Sequence, residues 1–333
     1  MKQLNIGVIG LGRIGRLHVE NLQNLVPEAN VIAGAEVYID NVREWAEERK
    51  LPNLYQDYNE VLANPEVDAV VIATSTDTHA EVAIAAAKAG KQIFCEKPID
   101  SNIDRIKEVL AEVDKAGVLF QTGFNRRFDH NFKRVHDIVE SGEIGDPHII
   151  RVTSRDPAPP PVEYVKVSGG IFFDMMIHDF DMVRYLSQSE ALEVSAHGAV
   201  LIDPAIGEAG DIDTAVVTLK MANGALAVID NSRQAVYGYD QRVEVFGSAG
   251  IAKADNDRPS TVEVSTDQSV NLDKIPYFFL DRYTGAFVDQ FKYFIQACHG
   301  ETKLMVDGID GLRAVEIAQA ATTSLKEGRA VKL

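Results

Sequence analysis

The chain has 333 residues, too many for one ordinary hydrophobic core, and a prior of roughly 150 residues per domain divides it into about two. Its 46% hydrophobic and 25% charged residues match soluble globular averages and exclude disordered and fibrous classes. With 33 basic against 50 acidic side chains the net charge is −17, and the one local basic run, Asn125-Arg126-Arg127 followed by Lys133-Arg134, is too sparse to read a nucleic-acid groove.

In chain order, Leu4–Gly10 is a short apolar run bounded by glycines, a strand, and 14–25 carries apolar residues at helical spacing. A second strand over 31–35 precedes a helix over 42–50. Further strands are expected at 67–73, 92–95 and 118–122, with helices at 80–89 and 104–116 between them. Strands alternating with helices in this way make right-handed βαβ units and a doubly wound parallel sheet. Past Gly123 the texture changes. A strand at 147–153 is followed by an amphipathic helix that Gly169-Gly170 opens and that runs through Leu186. Strand-like runs then follow at 192–201, 214–221, 225–232, 241–246 and 261–265, with a hairpin signal at Asn223-Gly224. Strands without intervening helices mean a largely antiparallel open sheet, and helices return at 286–298 and 308–325. The expected organisation is an N-terminal α/β domain of the Rossmann type over 1–122 and a C-terminal α+β domain over 123–333.

Cys95 and Cys298 are too few for a disulfide framework or a thiolate metal site. No window approaches 18 uninterrupted apolar residues, and no secretory leader pattern precedes the first strand. The expected setting is reduced and cytoplasmic, with no membrane partner.

Gly10-Leu11-Gly12-Arg13-Ile14-Gly15 is a G-x-G-x-x-G turn that leaves a strand and opens a helix, the context in which it binds the pyrophosphate of a dinucleotide. Gly10 permits the turn, Gly12 lets the backbone approach phosphate and Gly15 lets helix and strand pack closely. The acid for the adenosine ribose is expected at the end of the second strand, where Glu36 fits best and Asp40 second; a carboxylate there favours NAD over NADP. Glu96-Lys97-Pro98 ends the fourth strand, on the ligand side of such a sheet. Lys97 there is either a charge stabiliser for a substrate oxygen or an ion-pair partner of Glu96. Asp174, His178 and Asp181 fall at i, i+4 and i+7 on a helix otherwise rich in Phe, Met and Ile. Such a polar stripe suits a general base beside an orienting carboxylate, while an ordinary Asp–His support pair and a metal site are the competing readings. One histidine with carboxylates is poor zinc ligation, and no metal is expected.

These segments resemble the Gfo/Idh/MocA family of NAD(P)-dependent sugar and polyol oxidoreductases. The likeness is carried by Gly10–Gly15, Ala73-Thr74 with His79, Cys95-Glu96-Lys97-Pro98, Gly123-Phe124-Asn125-Arg126-Arg127-Phe128, Gly169 through Asp181, and Val306-Asp307-Gly308-Ile309-Asp310-Gly311 with Ala314. Within the family the chain is most similar to the inositol 2-dehydrogenases, through Lys97, Asp174, His178 and Tyr237-Gly238-Tyr239-Asp240. The resemblance implies oxidation of myo-inositol at C2 with NAD, His178 as acid/base and Lys97 and Asp174 completing the catalytic set. It further implies cofactor contacts at Gly10, Gly12, Arg13, Ile14, Gly15, Glu36, Thr74, His79, Glu96 and Lys97, and polyol contacts at Asp181, Tyr239 and Arg127. An open sheet used for oligomer contacts, commonly in a tetramer, is part of the same expectation. Members that act on myo-inositol can carry a histidine just before a proline-containing loop, where this chain has Ser154-Arg155-Asp156-Pro157 and then Pro159-Pro160-Pro161. A scyllo-inositol or other sugar dehydrogenase is therefore the alternative. A non-catalytic NAD-binding sensor has no reason to keep Lys97, Asp174 and His178 together.

Overall fold

A computed structural model describes residues 3–333, which form two compact units. The first contains the described residues through Phe128 together with Ala286–Arg313. Its strands are β1 (Leu4–Ile9), β2 (Ala29–Ala35), β3 (Leu54–Tyr55), β4 (Ala69–Ile72), β5 (Gln92–Cys95) and β6 (Phe120–Thr122). Between them lie α1 (Arg13–Leu25), α2 (Arg43–Glu48), α3 (Tyr58–Ala63), α4 (Thr76–Lys88) and α5 (Ile103–Ala116). Every strand pair in this sheet is parallel, in the order β3-β2-β1-β4-β5-β6, so the doubly wound sheet expected from the alternating pattern is present. Each strand is a short apolar run because helices cover both faces of such a sheet. The order reverses between β1 and β4, where Ile9 lies opposite Ile72, and ligands of such sheets bind beyond the strand ends at that reversal.

The core of this unit joins Ile6, Val8 and Val71 of the sheet to Val19 and Leu22 of α1 and to Phe94. Phe291 and Phe294 belong to the same cluster, and the Phe291 ring lies 4.7 Å from that of Phe94. Sequence patterning drew one contiguous border near residue 122. The helix over 286–298 is counted in the first compact unit, where its aromatic residues complete the core around Phe94.

The second unit comprises Asp129–Gly285 and Ala314–Leu333. Its elements begin with α6 (His130–Glu140), β7 (Pro147–Arg155), α7 (Val162–Val165), α8 (Ile171–Asp174), α9 (Ile177–Ser187), β8 (Ala191–Ala199) and α10 (Pro204–Glu208). They continue with β9 (Thr214–Met221), β10 (Leu226–Ser232), β11 (Asp240–Gly247), β12 (Ile251–Ala254), β13 (Glu263–Ser265) and β14 (Val270–Leu272). The long helices α11 (Phe279–Cys298) and α12 (Gly308–Glu327) and the short β15 (Val331–Lys332) end the chain. Seven strands form an open sheet in the order β12-β11-β7-β10-β9-β8-β15, antiparallel except for the β7–β10 pair. Burial alternates along β9, so the sheet keeps one face buried and one exposed. Asn223-Gly224 makes the β9–β10 hairpin, with Gly224 at φ 91°.

Two further expectations change. The strand expected over 261–265 shortens to β13 and pairs with β14, outside the large sheet. The single helix expected from Gly170 through Leu186 is two helices, broken between Asp174 and Ile177. There the Met176 N–H reaches back five residues to the Ile171 carbonyl at 2.9 Å, which widens the turn, and Met175 leaves ideal helical angles (φ −100°, ψ −57°). Among the described residues no helix is long and apolar enough to cross a membrane.

Candidate active site

In the first unit the glycine turn behaves as its spacing implies. Gly10 has φ +88°, and a Cβ there would lie 2.6 Å from the Ala73 backbone; a Cβ on Gly15 would lie 1.8 Å from the Gly10 carbonyl oxygen. A Cβ on Gly12 would meet nothing within 4 Å. Gly12 is also the N-cap of α1, which has no side-chain cap and no acid in its first turn. The helix therefore presents backbone donors and the positive end of its dipole to an approach that no side chain obstructs, which fits a dinucleotide pyrophosphate. Arg13 is exposed and Ile14 half-buried at the same turn. Glu36, beyond the end of β2, accepts the Leu11 N–H at 2.9 Å on one carboxylate oxygen and the Tyr38 N–H at 3.1 Å on the other. Its carboxylate thus stands beside the glycine turn, as a ribose ligand must, with remaining lone pairs available to hydroxyl groups.

Thr74 and His79 stand after β4. His79 is buried, with Nδ1 2.7 Å from the Pro98 carbonyl and Nε2 3.1 Å from the Thr74 carbonyl. Burial pushes its pKa below the ordinary histidine value, although both carbonyls oppose that shift. Expected as a cofactor contact, His79 is a tie between the segments leaving β4 and β5. Lys97, half-buried, follows β5 and precedes Pro98 through a cis peptide bond. Glu96 directs one oxygen to Nε2 of the fully buried His18, at 2.7 Å, and His18 packs edge-on against Phe94 and Phe291. The His18–Glu96 pair escaped sequence reasoning because the two residues are 78 positions apart. Arg127, expected at the polyol, is buried; its guanidinium donates to the Met305 carbonyl at 2.9 Å and to Asp310 at 2.8 Å. Cys95 and Cys298 are poor nucleophiles, because burial pushes both thiols up, Cys298 to about 12.

In the second unit, Asp174 ends α8 while half-buried His178 and buried Asp181 belong to α9. The Tyr164 hydroxyl donates to one oxygen of Asp174 at 2.7 Å and Arg233 reaches the other at 3.1 Å. Arg233 also contacts Asp211 at 3.3 Å, and Asp211 accepts the Ile171 N–H at 3.0 Å. Asp179, fully buried, accepts from Asn231 at 2.7 Å. Asp181 lies 3.9 Å from Arg184, whose guanidinium grips Glu190 with two contacts of 2.7 Å. Tyr239 is buried against the edge of Tyr283, with ring centres 5.9 Å apart. Sequence reasoning missed Tyr164, Asp211, Asn231 and Arg233. The last two carried a readable signal: polar residues two apart that continue the face on which Ala227 and Ile229 are apolar and buried.

Two groups among the described residues bring possible metal ligands together, Asp129 with His130 and Asp257, and His136 with Asp137 and Glu140. Arg282 already faces Asp129 and Asp257, and Lys133 holds Asp137 at 2.8 Å, so each group has a resident cation. Asp174 is held from two sides, by Tyr164 and Arg233, and half-buried His178 follows four residues on.

Residues 4–124 match the family model described as an oxidoreductase family with an NAD-binding Rossmann fold, and residues 132–253 match the GFO/IDH/MocA C-terminal domain. The chain is 51% identical over 330 residues to a myo-inositol 2-dehydrogenase of Thermotoga maritima, covering 99% of this chain and 98% of that protein. It is 41% identical to an inositol 2-dehydrogenase of Rhizobium meliloti, covering 99% of each. A crystal structure of scyllo-inositol dehydrogenase from Lactobacillus casei with bound NAD(H) and scyllo-inositol superposes with a TM-score of 0.93 at 27% identity, over 99% of each chain. With its glycine turn, its parallel sheet and its open mixed sheet in place, the chain belongs to the Gfo/Idh/MocA family of oxidoreductases, and its first unit is an NAD-binding Rossmann domain.

Proposed function

We propose that the chain is an inositol 2-dehydrogenase that oxidises myo-inositol to 2-keto-myo-inositol. The observation that carries the reading is the anchored Asp174 four residues before a half-buried His178 on an otherwise apolar segment. Similarity at 51% and 41% identity to proteins named for this activity supports the substrate class. NAD⁺, when bound, supplies the hydride acceptor. His178 takes the proton of the reacting hydroxyl, and Asp174 orients the imidazole and complements the positive charge it gains. The Lys97 ammonium stabilises negative charge developing on the substrate oxygen. Asp181 and Tyr239 are assigned to the polyol, and Gly10, Gly12, Arg13, Ile14, Gly15 and Glu36 to the adenosine and pyrophosphate. Thr74 and Glu96 stand on the segments that receive the cofactor beyond β4 and β5, and His79 holds those segments. Arg127, which also serves the fold of the first unit through Met305 and Asp310, is assigned to the neighbourhood of the polyol. The organisation that goes with this reading is a cytoplasmic homotetramer in inositol breakdown, with residues 1–122 holding NAD and 123–333 supplying most of the substrate and oligomer contacts.

Scyllo-inositol is the second reading, favoured by one observation. At the end of β7, where relatives that act on myo-inositol can carry histidine, Ser154 is buried against Gln241 and Arg155 is tied to Asp230. Inositol isomers and aldoses are assayed with NAD⁺ and NADP⁺ by the absorbance of reduced cofactor. Myo-inositol with NAD⁺ is expected to turn over best. Turnover of scyllo-inositol alone moves the assignment to the second reading, and no turnover of any polyol overturns both.

A further inference from the structure

The break between α8 and α9 raises a positional problem. In one continuous helix the register alone would fix Asp174 relative to His178. Here Asp174 belongs to a four-residue helix whose last turn is widened, so its carboxylate must be fixed from outside. Both ends of α8 are tied to one pair of side chains. At the start, the Ile171 N–H donates to Asp211 at 3.0 Å; at the end, Asp174 meets Arg233 at 3.1 Å; and Arg233 joins the two carboxylates by its 3.3 Å contact to Asp211. Arg233 is only 1% exposed, and its own backbone is fixed by a 2.8 Å bond from its N–H to the Asp213 carbonyl. A buried guanidinium is tolerated only when paired, and removing it strands the carboxylates it served. The planar fork can address two carboxylates at once, which a lysine ammonium does poorly.

We propose that Arg233 is a positioning residue for the oxidation: bridged to Asp211, it clamps α8 at both ends and sets the Asp174 carboxylate for its work on His178. This rests on the assignment of Asp174 and His178 made above. Arg233 touches neither substrate nor cofactor in this scheme and acts through Asp174.

The test is a double-mutant cycle on the full-length protein, with kcat and KM for the polyol and Kd for NADH measured together. Arg233→Met is expected to lower kcat about 10- to 100-fold, in the range of coupling energies between contacting residues, with NADH affinity unchanged. In the Asp174→Asn background the same change should cost less than about threefold, because the group through which Arg233 acts is already lost. Arg233→Lys, which keeps the charge and can serve one carboxylate, should recover part of the loss and covers the case in which Arg233→Met folds poorly. Equal losses in both backgrounds overturn the proposal, as does a change confined to KM or to melting temperature. A wild-type protein that oxidises no polyol sinks the functional assignment and this inference with it, whereas an active wild type with additive losses sinks this inference alone.

Discussion

Gly12 and Gly15 stand three residues apart in one motif, yet the structure gives them opposite sensitivities. Gly12 has extended backbone angles (φ −68°, ψ −165°) that any residue adopts, and open space where its Cβ would be. Gly12→Val should therefore fold normally. Losing glycine at an N-cap costs at most about 1 kcal/mol, about 1–2 °C in melting temperature for a chain of this size. The new side chain stands where phosphate must approach, and each charge-assisted hydrogen bond it displaces is worth about 1.5–3 kcal/mol, or roughly 10- to 150-fold in Kd. Gly15 reverses this. Its Cβ would stand 1.8 Å from the Gly10 oxygen, against an ordinary contact of 3.4 Å or more. Gly10 cannot retreat, since its N–H is bonded to Ala35 at 2.8 Å and its own Cα faces the Ala73 backbone. Gly15→Ala should thus cost at least the 1–3 kcal/mol typical of overpacking and lower the melting temperature by about 2–4 °C or more. NADH titration by fluorescence and thermal unfolding separate the two effects. Wild-type NADH affinity in Gly12→Val, or wild-type melting in Gly15→Ala, refutes the geometry from which both effects are derived.

Two pH-dependent predictions follow from buried groups. His79 is held below the ordinary histidine value by burial, so it stays neutral in the fold while the unfolded chain takes up a proton near pH 6.5. Its contribution to stability is present above that pH and declines as pH falls, and His79→Asn should flatten the unfolding free energy between pH 7.5 and 5.5; an unchanged slope contradicts the assignment. Asp213 is lowered, against the effect of burial, by the N–H groups of Leu201, Ile202 and Asp203 and by the Thr214 hydroxyl. Its stabilisation is present above the ordinary aspartate value and lost as pH falls through the lowered one. Asp213→Asn should cost about 1–3 kcal/mol at pH 7, with a penalty that narrows toward pH 3, and a pH-independent penalty in denaturant titrations counts against it.

The parts of the fold legible in the sequence are those set by local chemistry. The glycine turn, the parallel strands and the Asn223-Gly224 hairpin depend on backbone freedom and apolar runs, which neighbouring residues report. The helix α6 went unread although Phe132, Val135 and Val139 form its buried face, because Lys133 and Arg134 among them were weighed only as part of a basic run. The return of Phe291 and Phe294 to the core around Phe94 was invisible for a different reason. Aromatic residues at helical spacing announce a buried face without saying which core receives it. The candidate site divides likewise. Asp174, His178 and Asp181 could be seen as a stripe, but Asp174 is supported by Tyr164 and Arg233, and its neighbour Asp179 by Asn231, at separations of 10, 59 and 52 residues that no local pattern encodes.

The supports also explain how the acids of this segment keep their spacing once the helix is broken. Asn231 and Arg233 are two residues apart on and just beyond β10, so they share a face and advance about 6.7 Å along the strand. Their partners, Asp179 and Asp174, are five residues apart, which in helix advances about 7.5 Å. The lengths match closely enough for one strand end to hold both acids, provided that the segment runs back along the strand: the later strand residue takes the earlier acid, as observed. A strand in the interior of a sheet, hydrogen-bonded on both sides to β7 and β9, is a stiffer reference than a four-residue helix. The placement of Asp174 therefore derives in part from the sheet, through Arg233, with Tyr164 holding the other carboxylate oxygen.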